Sequence, residues 1–444
     1  MSSEQNRQAN RHASSPGQGS VQTPKGTRDF FPADMRLQNH LFDGWRTVCR
    51  AFGYEEYEGP TFEHLELYVG KSGPEIVEQL YHFRDKGDRA LALRPELTPT
   101  LARMVNAKGA SLRKPLKWFS IPRLFRYERA QRGRLREFFQ LNMDIVGCET
   151  VAAEADLIAA VIEMLKGFGL TSADFAVRVS SRALLSEFLD RHGVAAGDKA
   201  GVYTALDKRA KIGEEAFRTL LAEQGAAGVA GELERYFQCR SLEDLLQVFP
   251  SPTPGEDAAL GDMQSLFQLL EAQGLADFVV VDTSVVRGLA YYTGIVFEVF
   301  DKGVGLRALA GGGRYDNLMA SLGGAPVPAV GFGMGDVVLA ELLKERGLLP
   351  QGRPGVDYYL ADLAAAPGGL PRVGLLRLAH ALRERGRTVA YALKGGKFKK
   401  QMEEANEAGA KRVLFYGSDR APEGSYEVKD LATGEQVVAR EEEL

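Results

Sequence analysis

Between residues 38 and 52 the apolar side chains Leu41, Phe42, Trp45, Val48 and Phe52 recur at three- and four-residue intervals, which predicts an amphipathic helix. The pattern then changes to short apolar and β-branched runs at 90–94, 116–121, 138–146, 175–179, 278–282 and 294–300. Their hairpin-like spacing, with little strict strand–helix alternation, predicts a largely antiparallel sheet flanked by helices, an α+β domain. From about residue 182 to 275 the helical period returns, in Leu184, Leu185, Phe188 and Leu189 and again in Leu242, Leu245, Leu246 and Val248. A helical insertion, broken by a loop at 250–255, therefore interrupts the sheet domain.

A second unit follows the Pro/Gly-rich stretch GLLPQGRPG at 347–355. Here strand and helix patterns alternate: a strand at 356–363, a helix ended by Gly386, a strand at 388–393, a helix carrying Phe398, Met402 and Ala405, and a strand at 412–416. That alternation predicts a small α/β domain over 356–444 with a mostly parallel sheet, behind an α+β domain over 23–346. Residues 1–22 are polar and nearly without large apolar side chains, so a disordered tail is expected. Glu4 and the missing apolar face weigh against a transit peptide, and no apolar h-region supports a secretory signal.

Composition narrows the setting. The 444 residues are 45% hydrophobic and 26% charged, an ordinary globular balance with two to three domains by length. No apolar run approaches the roughly 20 residues of a membrane helix. Three scattered cysteines, Cys49, Cys148 and Cys239, supply neither a disulfide framework nor a zinc site, and a reducing, cytoplasmic location is expected. The six histidines show no ligand spacing. A net charge of −4 leaves any nucleic-acid contact to local basic patches.

The chemistry concentrates in a few stretches. RGLAYYTG (287–294) and GGGRYD (311–316) bring Arg287, Arg314, Tyr291, Tyr292 and Tyr315 together with a backbone bare of side chains. Glycines there permit close approach or positive φ, and arginines fork onto phosphate or carboxylate oxygens; a glycine-rich turn with surface arginines would look the same. Six arginines fall between 123 and 136, namely Arg123, Arg126, Arg129, Arg132, Arg134 and Arg136, ahead of a predicted strand. Alternation on that strand puts Phe138, Gln140, Asn142 and Asp144 on one face, an aromatic plate, two amides and a carboxylate. In RPELT (94–98), Glu96 and Thr98 stand where they could cap the following helix.

These motifs resemble histidyl-tRNA synthetase, a class II aminoacyl-tRNA synthetase family, whose two signatures read R-G-L-x-Y-Y-T-G and G-G-G-R-Y-D. The resemblance implies that Arg126 and Arg287 are catalytic, bracketing the α-phosphate of ATP. It implies a histidine site of Glu96, Thr98, Arg126, Gln140, Asp144, Arg287, Tyr291, Tyr292 and Tyr315, and an ATP site of Arg126, Glu128, Arg136, Phe138 and Arg314. ATP would be a substrate with Mg²⁺ on its phosphates, the protein's own metal ligands being unknown. KGTRD (25–29) and GPTFE (59–63) resemble the N-terminal signature and motif 1, which implies a homodimer. The C-terminal unit, with KGGKFKK (394–400) and its ending YEVKDL and TGEQ, resembles the anticodon-binding domain of related synthetases, implying tRNA as partner. One position departs. GFGMGDVVL (331–339) matches motif 3 but carries Val338 where that motif has an arginine, and Arg307, Arg314 and Arg136 are candidate replacements. The alternative reading is a non-catalytic, histidine-sensing regulatory subunit of ATP phosphoribosyltransferase; that paralogue typically lacks the C-terminal domain and the signature arginine.

Overall fold

The computed structural model describes residues 22–69, 77–286, 291–350, 355–364 and 368–444, in two units that divide between Leu349 and Pro350. Helix α1 (Pro32–Ala51) opens on a proline, whose missing N–H is no loss in a first turn, and the Asp34 carboxylate accepts from the Phe31 N–H at 3.1 Å. Gln38, Leu41, Trp45 and Cys49 form its buried stripe, and the helix stops before Gly53, whose φ of +77° no β-branched residue would accept. The chain continues through β1 (Glu55–Glu56) into a small side sheet of β2 (Phe62–His64), β3 (His82–Arg84) and β4 (Ala90–Leu93). The strand expected at 90–94 thus belongs to this separate sheet.

Helix α2 (Thr98–Lys108), β5 (Leu116–Ser120), β6 (Arg123–Phe125), β7 (Glu137–Val146), helix α3 (Ala152–Gly167) and β8 (Phe175–Ser181) follow. After the insertion come β9 (Val279–Val281), β10 (Ile295–Asp301), β11 (Ala310–Arg314), β12 (Ala329–Gly335) and helix α4 (Asp336–Glu345). The main sheet runs β1-β5-β7-β12-β11-β10-β8-β9, with β6 also paired to β7. Its pairings are antiparallel except β1 with β5 and β8 with β9, as the strand spacing predicts. Alternation on β7 sends Leu141, Met143 and Ile145 into the core shared with Trp45 and Ile158, while Gln140, Asn142 and Asp144 take the opposite face. Each such buried apolar side chain contributes roughly 1.5–3 kcal/mol, so this register is strongly held.

The insertion is helical throughout its regular parts, at Arg182–Arg191, Lys199–Ile212, Glu214–Glu223, Ala230–Tyr236, Leu242–Val248 and Pro254–Ala272. The break expected at 250–255 is shorter, because Pro254 already begins a helix. Thr253 caps it by accepting from the Glu256 N–H at 3.2 Å, and Glu256 accepts in return from the Thr253 N–H at 2.7 Å.

In the second unit β13 (Tyr358–Asp362), helix α5 (Val373–Glu384), β14 (Val389–Tyr391), helix α6 (Phe398–Glu407), β15 (Arg412–Tyr416), β16 (Ser425–Asp430) and β17 (Gln436–Arg440) form a sheet in the order β14-β13-β15-β16-β17. Leu375, Leu378 and Leu382 of α5 pack with Tyr358 and Leu360 on one face, and Ala405 of α6 with Tyr359, Val413 and Phe415 on the other. The helix-linked strands are parallel, but β15–β16 and β16–β17 are antiparallel, so the expected mostly parallel sheet is half of each. The links before β16 and β17 are too short for a crossover, which needs a dozen residues or more. Among the described residues no helix is long and apolar enough to cross a membrane.

Candidate active site

A cavity of about 150 Å³ opens on the face of the main sheet away from the core. Gln140, Asn142 and Asp144 of β7 line it with Glu96, Thr98, Arg126, Tyr291, Tyr292 and Tyr315 and the bare backbone of Gly311, Gly331 and Gly333. Its small size and polar lining suit a small metabolite.

Strand register explains the glycines. Gly331 lies opposite Asp144 and Gly333 opposite Asn142, and across the next pairing Gly313 faces Gly331 and Gly311 faces Gly333. Directly paired residues share a face, so these four positions lie on the cavity face, and Gly311, Gly331 and Gly333 line the cavity itself. A Cβ at Gly331 would come within 1.9 Å of Asp144 Oδ1, and one at Gly333 within 2.6 Å of Gln140 Nε2. The triple glycine is therefore a strand interior that makes space, with no positive φ at 311–313. Its cost of about 0.5–1 kcal/mol per glycine relative to alanine is what keeps the floor open.

Two buried carboxylates face this space. Asp144 is 4% exposed and accepts a hydrogen bond from the Tyr315 hydroxyl. Burial pushes its pKa up to about 7, against the Tyr315 hydrogen bond, which favours the charged form. Glu96, also 4% exposed, accepts from the Tyr291 hydroxyl at 3.0 Å. Burial and the neighbouring carboxylates hold Tyr291 and Tyr315 neutral, well above the usual phenol pKa. Tyr291 meets Tyr315 edge-on at 5.8 Å and Tyr292 at 5.1 Å between ring centroids, so the phenols form one aromatic wall. Helix α2 has no side-chain cap, so Glu96 and Thr98 do not serve its start. Both face the cavity.

Arg126 stands beside them. Its Nε donates to the Pro95 carbonyl at 2.8 Å and its guanidinium lies 5.4 Å from the Phe138 ring centroid. Burial lowers its pKa, while Glu96 and Glu128 raise it. Phe138 sits at the start of β7, beyond the residues that line the cavity. The Glu128 carboxylate is paired with Arg134, and the Arg136 Nε donates to the Glu128 carbonyl at 3.1 Å while its guanidinium covers the Tyr127 ring at 4.0 Å. Gly26, with φ of +87°, supports this loop: Arg136 N donates to its carbonyl at 2.9 Å.

Arg314, expected at the ATP phosphates, lies elsewhere. Its guanidinium donates to both Glu154 oxygens at 2.6 Å, to the Cys148 carbonyl at 3.0 Å and to the Thr150 carbonyl at 3.2 Å. It locks helix α3 to the sheet, with its donors committed to protein acceptors. Glu154 carried no sequence signal as its partner, standing 160 residues away. Arg287, with the first four residues of RGLAYYTG, lies outside the described residues. Val338 is 8% exposed in the main core. Asp336 beside it accepts from Arg28 at 2.7 Å and from the Phe139 N–H at 3.0 Å, tying the KGTRD stretch to the start of α4.

Comparison with known proteins gives this arrangement a family. The histidyl-tRNA synthetase profile matches residues 26–336, and an anticodon-binding domain profile matches 375–444. A histidine–tRNA ligase of Opitutus terrae is 44% identical over 416 residues, covering 93% of this chain and 94% of that protein. The chloroplastic/mitochondrial histidine–tRNA ligase of Arabidopsis thaliana is also 44% identical, over 94% of this chain and 84% of its own length. The crystal structure of histidyl-tRNA synthetase from Nostoc sp. PCC 7120 shares the fold with a TM-score of 0.76 at 23% identity, over 94% of this chain and 96% of that one. The cavity, its tyrosine wall and the profile match agree, and the chain belongs to the histidyl-tRNA synthetase family.

Proposed function

We propose that the protein joins L-histidine to its tRNA, using ATP to form histidyl-adenylate first. The observation that carries this reading is the small cavity that holds two buried carboxylates and a phenol wall next to Arg126. Such a site suits an amino acid with a cationic amine and a polar ring, and it rejects ligands that leave its buried groups unpaired.

Glu96 and Thr98, with Gln140, take the α-amino group. Asp144, held by Tyr315, receives an imidazole N–H, with Tyr291 and Tyr292 along the ring. The histidine carboxylate then attacks the α-phosphorus of ATP and pyrophosphate leaves; a terminal ribose hydroxyl of the tRNA next takes the histidyl group and AMP departs. Positioning and charge stabilisation do most of this work. Arg126 supplies one cation at the α-phosphate and Arg287 the other. ATP enters with Mg²⁺ on its phosphates, and Phe138 stacks on the adenine, with Glu128 near its amino group. Arg136 steadies the Glu128 loop. The C-terminal unit receives the tRNA, whose phosphates meet the exposed lysines Lys394, Lys397, Lys399 and Lys400 at the start of α6. The working protein is a cytoplasmic homodimer.

Incubation with ATP, labelled histidine and total tRNA tests this: label should become acid-precipitable in an ATP-dependent manner. Tight histidine binding without any charging would instead favour the regulatory-subunit reading.

A further inference from the structure

Position 338 leaves a question of charge, because a triphosphate brings up to four negative charges and the residue there is a buried valine. The space over Val338 is filled. The tip of the 126–136 loop turns at Gly133, with φ of +74°, and a Cβ at Gly133 would lie 3.4 Å from Val338 Cγ2. Arg132 clamps this tip to α4 through Glu345 and, at 3.4 Å, Glu341. A cation for the phosphate tail must therefore come from a neighbouring element.

Of the three arginines considered, two are engaged. Arg314 is locked to Glu154, and Arg136 is stacked on Tyr127 while donating to the Glu128 carbonyl. Arg307 differs: it is exposed and has no hydrogen bond or ion pair to a described residue. It sits in the connection between β10 and β11, at the end of the sheet where β12 passes into α4 and β7 begins, since Ala310 pairs with Met334 and Gly335 with Gln140. The connection is rigid. The Asp301 carboxylate accepts from the N–H groups of Val304, Gly305 and Leu306 at 2.6, 2.9 and 2.8 Å, and Leu309 N donates to the Val299 carbonyl at 2.7 Å. Arg307 feels Arg134 as a repelling neighbour and Glu128 as an attracting one, and Arg126 feels the same two groups. Arg126, Arg134 and Arg307 thus stand around the Glu128 carboxylate, with Glu96 also facing Arg126, while Arg136 holds the Glu128 main-chain carbonyl. Such an excess of guanidinium groups attracts a multiply charged anion.

We propose that Arg307 holds the β- and γ-phosphates of ATP and so supplies the charge that position 338 does not. This rests on the reading of the cavity as a histidine-activating site, and it adds a nucleotide-binding residue from the β10–β11 connection. Adenosine and the α-phosphate, by contrast, stay with Phe138 and Arg126.

Calorimetric titration of the full-length protein with ATP, AMP and histidine tests it. Arg307→Ala should weaken ATP binding by about tenfold to a hundredfold, the loss of a charge-assisted contact, and leave AMP and histidine within about twofold. Arg307→Lys should recover part of the ATP affinity, and an unchanged melting temperature should accompany both variants because the side chain is exposed. Equal weakening of ATP and AMP, or no change in ATP, overturns the proposal. So does an effect seen only in the KM for tRNA, which would place Arg307 on the nucleic acid instead. A wild-type protein that binds histidine but not ATP would overturn the enzymatic reading itself, a result distinct from failure of Arg307 alone.

Discussion

Asp144 and Tyr315, 171 residues apart in the chain, meet at the floor of the cavity, where the phenol hydroxyl donates to the carboxylate. Burial holds this carboxyl at a pKa of about 7, from 3.8 in the open chain, so its ionised form opposes folding. The native state then binds the extra proton, and stability falls as pH rises from about 4 to 7. Replacing Asp144 by Asn should therefore stabilise the ligand-free protein by on the order of 2–4 kcal/mol above pH 7 and by little below pH 4. The same change should reduce histidine activation roughly a hundredfold or more, because a neutral amide with a single acceptor oxygen replaces a carboxylate that serves both Tyr315 and the ligand N–H. Melting curves at pH 4 and pH 8, beside activation kinetics, check both halves.

Gly331→Ala puts a methyl group where Asp144 Oδ1 now lies, 1.9 Å from the new carbon. Histidine affinity should drop sharply while the fold survives with a loss of about 1–3 kcal/mol, as in other overpacked sites. Histidine titration of the variant, with urea unfolding alongside, measures the two effects separately.

Arg314→Ala strands the Glu154 carboxylate, 1% exposed, without its partner. The expected result is a stability loss of about 3–5 kcal/mol, typical of a broken buried pair. ATP affinity of the remaining folded protein should change little at temperatures well below its melting point, which calorimetry would show.

Arg287→Ala should bind histidine nearly normally yet form adenylate more slowly by a few powers of ten, as expected on removing a charge-stabilising group. Single-turnover adenylate formation, compared with equilibrium histidine binding, checks this. Unchanged turnover would remove Arg287 from the mechanism.

Much of this was legible from periodicity. The alternation along β7 announced one face, Phe138, Gln140, Asn142 and Asp144, of which the last three line the cavity, and the intervening Leu141, Met143 and Ile145 take the core face. In α1 the apolar period predicted the helix, but of its members only Leu41 and Trp45 are fully buried, beside Gln38 and Cys49, while Phe42, Val48 and Phe52 are partly buried. The Pro/Gly break near 350 was plain. Long-range pairings were not. Nothing local distinguishes Arg314, bound to Glu154, from an arginine that awaits a phosphate, because the partner lies on another element. Likewise, Glu96 and Thr98 carry the same side chains whether they cap α2 or face a ligand, and the Tyr291 hydrogen bond and the cavity lining tell the two apart. The C-terminal hairpin of β16 and β17 depended on short links, which the alternation rule for parallel sheets does not cover.

The most direct test of the central claim is exchange of labelled pyrophosphate into ATP by the purified full-length protein, with each of the twenty amino acids in turn. The cavity of Glu96, Asp144 and the three tyrosines predicts exchange with histidine alone, reduced about a hundredfold or more by Asp144→Asn. Exchange with another amino acid, or none with histidine despite tight histidine binding, would contradict it.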